Sequence, residues 1–293
     1  LGCDRQALNL SNRKDTSSLT KGPEMKTLLA CILTLLVLRV APADEPQTLP
    51  TKRVLLIGQG PDGHPPTTHE YRAGTRIVAK LLSRQPKVQT IVVSADDEWA
   101  NGPMLLDGAD AVVLFVSQGA KWIQATPQRL AAFQALAQRG GGLSVLHWGM
   151  GTKDAVDIPA FVDLFGGCHG GPDRRYKVLE TQLELASNTH PIVRGVAPLK
   201  VQDEFYYQLK WPQPATKHEP LLQVTIEGQT YPVAWSWERP AGGRSFGFSG
   251  LHFHDNWKHE SYRRVVLQAV LWTIGRDIPT SDRKSTRLNS SHT

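Results

Sequence analysis

Four short apolar runs, at residues 53–57, 88–93, 111–116 and 143–147, alternate with amphipathic stretches, and this alternation limits the possible folds more than any other feature. The first run, Arg53-Val-Leu-Leu-Ile57, ends in glycine, the pattern of a strand buried in a parallel sheet. Thr67-Thr-His-Glu70 has the spacing of a capping box. It predicts a helix to about residue 84, with Ile77, Val78, Leu81 and Leu82 on one face. Thr126-Pro127 begins the next helix, which stops at Gly140-Gly-Gly142. Strand, helix and strand in this order predict βαβ units. The expected class is α/β, with an open, mostly parallel sheet and helices on both faces. Beyond Gly167 the runs at 176–185, 221–227, 233–237 and 244–248 are more polar and read as extra, partly antiparallel strands. A final amphipathic helix is expected over 261–274. No linker or repeat separates the halves, so residues 44–281 are read as one domain.

The flanks read differently. Met25, the basic Lys26, an apolar run over 28–38 and the small residues Ala41-Pro42-Ala43 have the layout of a secretory signal peptide over residues 25–43. The run of eleven residues falls short of the roughly 20 needed to span a bilayer. Export to the periplasm or outside the cell is therefore expected, with no membrane-spanning segment after cleavage. Residues 1–24 read as upstream untranslated sequence. Residues 282–293, with DRKSTRLNSSH, resemble a translated sequencing adapter; both are set aside. The whole chain carries a net charge of +6, but residues 44–281 hold 24 basic and 23 acidic side chains. The basic excess belongs to the flanks, so no nucleic-acid partner is expected. Cys168 is the single cysteine of that region and is expected to pack as a small hydrophobe.

Ligands of open α/β sheets bind at the carboxyl ends of the strands, which selects the loop after Ile57 and the turn after Leu146. Gly58-Gln-Gly-Pro-Asp-Gly63 matches G-x-G-x-x-G, but Pro65-Pro66 separate it from the helix, and a dinucleotide needs that helix N-terminus. No NAD is expected. His64 and His69 on this loop are either ligand-binding or simply solvated. The fourth strand runs into His147-Trp148-Gly149, placing an imidazole where amidotransferases and α/β hydrolases carry a nucleophile.

The segments His69-Glu-Tyr-Arg-Ala-Gly74, Gly142-Leu-Ser-Val-Leu-His-Trp-Gly149 and Asp203-Glu-Phe-Tyr-Tyr207 together resemble the ThuA, or trehalose-utilisation-like, family. Pro232-Val-Ala-Trp-Ser-Trp and Gly247-Phe-Ser-Gly-Leu-His252 extend the resemblance, which covers residues 53–279. It implies a flavodoxin-like or class I glutamine amidotransferase-like sheet without the Cys nucleophile, and a small-molecule sugar as partner. Cys168 lies well beyond the elbow, so glutamine hydrolysis is not implied.

His147, Glu204 and His252 are the expected general acid/base groups, with His64, His69, Trp148, Asp203 and Tyr206 contacting substrate. The resemblance implies the pocket role of Glu204. Alternation along a strand would point Asp203 and Glu204 to opposite faces. The i, i+2 spacing of His252 and His254 would put both on one face, and with Asp255 and His169 they make a candidate zinc set. These groups either hold a divalent ion or hydrogen-bond within a polar, sugar-sized pocket. Trp148, Trp235, Trp237 and Trp257 are a sugar platform or core. A sugar-metabolising enzyme, hydrolase- or lyase-like, is the leading expectation, and a non-catalytic sugar-binding protein the alternative. The oligomeric state is not legible.

Overall fold

The computed structural model describes residues 49–278 apart from Asp97. The signal-like segment, the upstream stretch and the adapter-like tail lie outside the described residues. Strand β1 (Lys52–Gly58) leads to α1 (Tyr71–Leu82) and β2 (Val88–Ser94). Then come α2 (Gly102–Asp107), β3 (Ala111–Phe115), α3 (Gly119–Gln124), α4 (Pro127–Gln138) and β4 (Gly142–Leu146). The two-residue strands β5 (Gly151–Thr152) and β6 (His169–Gly170) flank α5 (Ile158–Phe165). The chain continues through β7 (Arg175–Leu185), β8 (Leu199–Tyr207), β9 (His218–Ile226), β10 (Gln229–Glu238) and β11 (Arg244–Phe248) to α6 (Glu260–Thr273).

Nine strands form one sheet in the order β2-β1-β3-β4-β11-β10-β9-β7-β8, while β5 and β6 pair separately. The pairs β1–β2, β1–β3, β3–β4 and β4–β11 are parallel; from β11 onward every pair is antiparallel. The first half of the sheet is thus the parallel sheet that its apolar runs predict. All five residues of β3 and of β4 are buried, as are Val54, Leu55, Leu56 and Ile57 in β1. Truncating one of these aliphatic side chains to alanine costs about 2–5 kcal/mol. Helix α1 packs on β1, β2, β3 and α6, whereas α4 meets α5 and β4.

Two local expectations change. Helix α1 begins at Tyr71, because Thr67 sits at φ +71 in the left-handed region and cannot open a helix. The Glu70 carboxylate still accepts the Thr67 N–H at 3.2 Å, so half of the capping exchange survives as a loop bond. Residues 244–248 read as more polar and partly antiparallel; β11 does pair antiparallel with β10, but all except Arg244 are buried, and its other edge runs parallel to β4. That insertion makes the strands preceding His147 and His252 neighbours.

Ribbon β7–β8 explains how the far edge of the sheet reaches them. Strand β7 pairs with β9 only at Glu184 and Leu185, and the rest of its length pairs with β8 alone. Asp203 of β8 accepts the backbone N–H groups of Leu251 (2.7 Å) and His252 (3.1 Å), which ties the ribbon to the loop after β11.

Candidate functional site

Four loops at the carboxyl ends of β1, β3, β4 and β11, together with β8, surround a cavity of about 500 Å³. Asp62, His64 and His69 come from the first loop, Ser117 and Gln118 from the second, His147 from the third and His252 from the fourth. Each loop holds a non-glycine residue at positive φ: His69 (+51), Gln118 (+46), His147 (+46) and Leu251 (+82). Backbone strain of this kind persists only where the surroundings over-determine it, and it clusters at functional sites. The turn after β4 is especially confined. A Cβ on Gly119 would stand 2.0 Å from the Gly149 carbonyl oxygen, so α3 approaches the His147–Met150 turn backbone to backbone.

At the centre, His147 Nε2 lies 3.0 Å from His69 Nε2, 3.2 Å from His252 Nδ1, 3.0 Å from the Tyr206 hydroxyl and 3.8 Å from Glu204 Oε1. Glu204 Oε1 is 3.7 Å from His252 Nδ1. Tautomers follow from the outer partners. His147 Nδ1–H donates to the Ser249 carbonyl at 2.7 Å, which leaves Nε2 as a lone pair. His69 Nδ1 lies 3.0 Å from Asp62 Oδ2. Burial alone would raise the Asp62 carboxyl, but hydrogen bonds from His69, Tyr71 and His64 outweigh it and hold it well below the usual range. Asp62 is therefore an anion that accepts from His69 Nδ1–H. Burial keeps His69 neutral against the pull of Asp62, so its Nε2 is a second lone pair. Burial, and then its histidine neighbours, likewise push His147 well down.

Two lone pairs facing each other at 3.0 Å are repulsive unless a cation lies between or beside them. The four ligand atoms of His69, His147, Glu204 and His252 lie within 4.8 Å of one another. Donors sharing one tetrahedral zinc at about 2.0–2.1 Å stand roughly 3.3 Å apart. The contacts of 3.0, 3.2, 3.7 and 3.8 Å straddle that spacing. Three imidazoles and one carboxylate, with Asp62 and the Ser249 carbonyl orienting two of the rings, form a donor set that fits a divalent ion.

This is not the ligand set expected from the sequence. Of that set, His252 alone remains. The chain leaves strand geometry after Phe248, and His254 opens a 3-10 turn, so strand alternation does not carry over from His252. The His254 N–H instead donates to the Thr67 carbonyl at 2.7 Å. Asp255 is exposed, 3.5 Å from Lys258. His169 lines the cavity, but its ring stacks on Tyr206 at 3.9 Å rather than joining the ligand atoms.

The expected acid/base groups His147, Glu204 and His252 do meet. Burial and then the charge of Asp203 push the Glu204 carboxyl up to about 7; burial and then His69 push His252 down to about 4. Of the expected substrate contacts, His64, His69, Trp148 and Tyr206 line the cavity. Asp203 does not: it is wholly buried, and its carboxylate is occupied by Leu251, His252, Glu204 and Tyr262. Trp235, Trp237 and Trp257 pack in the core, and Cys168 is buried with its thiol pushed up by desolvation. Sequence reading passed over Asp62, Tyr71, Ser117, Gln118, Lys153 and Arg174. The rule that selected the ends of β1 and β4 applies equally to the end of β3, and would have found Ser117 and Gln118.

Sheet order, parallel half and elbow-borne imidazole define a class: α/β proteins whose architecture is consistent with a glutamine amidotransferase-like fold, built here around a histidine–carboxylate cluster. Within it, the chain belongs to the ThuA family, described as trehalose utilisation, whose model matches residues 54–273. No curated protein sequence matches the chain. A ThuA-like protein of Bacteroides uniformis ATCC 8492 has the same fold, with a TM-score of 0.61 at 15% identity, covering 81% of this chain and 96% of that one. The cytoplasmic protein STM3548 of Salmonella typhimurium gives a TM-score of 0.52 at 16% identity, covering 76% and 98%. Among the described residues no helix is long and apolar enough to cross a membrane.

Proposed function

We propose that this protein is an exported enzyme of sugar metabolism, hydrolase- or lyase-like, that binds one divalent ion through His69, His147 and His252, leaving a coordination position open beside Glu204. The observation carrying the proposal is the 3.0 Å approach of two lone-pair nitrogens, His69 Nε2 and His147 Nε2. The nitrogen-rich donor set favours zinc. An ion bound there supplies Lewis-acid polarisation of a sugar oxygen. The residues around it do the rest. Glu204 Oε1 stands 3.8 Å from His147 Nε2 and 3.7 Å from His252 Nδ1, beside the ion rather than bound to it, where it takes a proton from water or a substrate hydroxyl and returns it to the leaving group as general base and acid. The Tyr206 hydroxyl donates toward the cluster, and its ring, held between His147 at 4.6 Å and His169 at 3.9 Å, keeps that hydroxyl in place. Family membership supports a sugar as substrate. The reading of residues 25–43 as a signal peptide supports export. The two helix groups, α1 with α6 and α4 with α5, support a sheet covered on both faces.

Elemental analysis of the purified protein tests the ion. About one equivalent of zinc per chain is expected in the wild type, and little in His147→Ala. A wild type that takes up no divalent ion after incubation with zinc sinks the proposal. A screen of sugars and keto-sugars that follows binding and product together separates enzyme from non-catalytic binder.

A further inference from the structure

We propose that the cavity takes an anionic sugar, whose carboxylate or phosphate is bound by Lys153 and Arg174. This rests on the function proposed above for the same site and names its substrate class. The cavity wall is uneven in charge. Asp62, Glu204 and the histidine cluster occupy one part, and Lys153 and Arg174 line another.

The backbone brings these two cations together. Strands β5 and β6 pair in parallel, Gly151 with His169 and Thr152 with Gly170, so the chain leaves both at the same end. Lys153 follows β5 directly. The turn ending in Arg174 follows β6, closed by the Arg174 N–H and guanidinium donating to the Gly171 carbonyl at 3.4 and 3.1 Å. Thr152 is fully buried; its hydroxyl donates to Asp157 Oδ2 at 2.7 Å and accepts the Asp154 N–H at 3.0 Å, which fixes the base of Lys153.

Two nearby lysines are paired elsewhere, Lys210 with Asp173 and Lys177 with Glu227 at 2.6 Å. Among the described residues, Lys153 and Arg174 have no carboxylate within ion-pair distance, and they are the two basic side chains that line the cavity. The charge of Arg174 reaches inward: burial, followed by the positive charges of Arg174 and Lys210, holds His169 down to about 3, so His169 adds no cation to this wall. A neutral sugar leaves that field uncompensated. An anionic group accepts charge-assisted hydrogen bonds from both side chains while its hydroxyls face the cluster and its ring faces Trp148 and Tyr176. A volume of about 500 Å³ suits a sugar acid or sugar phosphate.

Calorimetric titration of D-glucuronate, D-glucose 6-phosphate, D-glucose and trehalose into wild type, Lys153→Gln and Arg174→Gln tests this, with zinc content measured on the same samples. One anion is expected to bind wild type at least about tenfold more tightly than either neutral sugar, and to lose about tenfold or more in each variant. Zinc content and melting temperature should not change, because both side chains lie at the rim. Preference for glucuronate assigns a carboxylate; preference for the phosphate ester assigns a phosphate. Neutral sugars binding as tightly as the anions, no anion binding, or anion affinity unchanged in both variants overturns the proposal. A zinc-free protein that still selects anions through these residues removes the metal reading and keeps this one.

Discussion

The Asp203 carboxylate accepts the backbone N–H of His252 at 3.1 Å, so a residue of β8 sets the position of the imidazole that follows β11. Its second oxygen accepts from Leu251 N–H at 2.7 Å and from the Tyr262 hydroxyl at 2.8 Å. Burial raises this carboxyl to about 6 in spite of those donors. Asp203→Asn turns one acceptor oxygen into a donor amide facing other donors. Chemical denaturation should show a loss of about 2–4 kcal/mol, and Tyr262→Phe a loss of about 1 kcal/mol. An Asn variant as stable as wild type would show that Asp203 does not hold the loop.

Asp62 acts on the proposed ion through His69. Asp62→Asn leaves the ligands in place but weakens the orientation of the ring. Competition with a calibrated chelator should show zinc affinity reduced about 10–100-fold. Zinc at about 100 times its dissociation constant should stabilise the wild type by about 2.7 kcal/mol, and chelation should reverse this in a melting experiment.

Acid should destabilise the protein partly through His169. Its folded value lies near 3, below the unfolded 6.5, so its contribution is complete above pH 6.5 and is lost as pH falls toward 3. Between pH 6.5 and 5 this amounts to about 2 kcal/mol. Urea denaturation at pH 7.5 and pH 5 should show a smaller acid loss in His169→Gln than in wild type. Equal losses in the two proteins would mean His169 titrates normally.

The close approach of α3 to the His147 turn makes Gly119 intolerant of any side chain. Gly119→Ala should cost about 3 kcal/mol, because the contact 2.0 Å away is backbone and cannot rotate aside. Gly108→Ala is the control. It has negative φ and no neighbour nearer than 3.8 Å, so it should change stability by less than about 1 kcal/mol.

The parallel half of the fold was legible because buried strands such as Ala111–Phe115 and Gly142–Leu146 are written as unbroken apolar runs between helix signals. Strand β8 was harder to see, since Asp203 and Glu204 interrupt its pattern; both acids are buried by tertiary contacts that no local window contains. The same limit applies to the site. His147 stood out by its place after β4, but its partner His69 lies 78 residues earlier, and only the β1–β3–β4 order brings them together. The spacing of His252 and His254 misled, because strand periodicity was extended past the point where Leu251 turns left-handed and the strand is over.

The late position of β11 in the chain has a consequence for biosynthesis. His252 lies 105 residues beyond His147, and the strand before it must slot between β4 and β10, both already made. Contacts so distant in sequence close slowly. A nascent chain halted before residue 244 exposes β4 as a bare apolar edge, open to pairing with another chain. Emergence of about the last sixth of the domain therefore both completes the cavity and covers an apolar edge of the sheet.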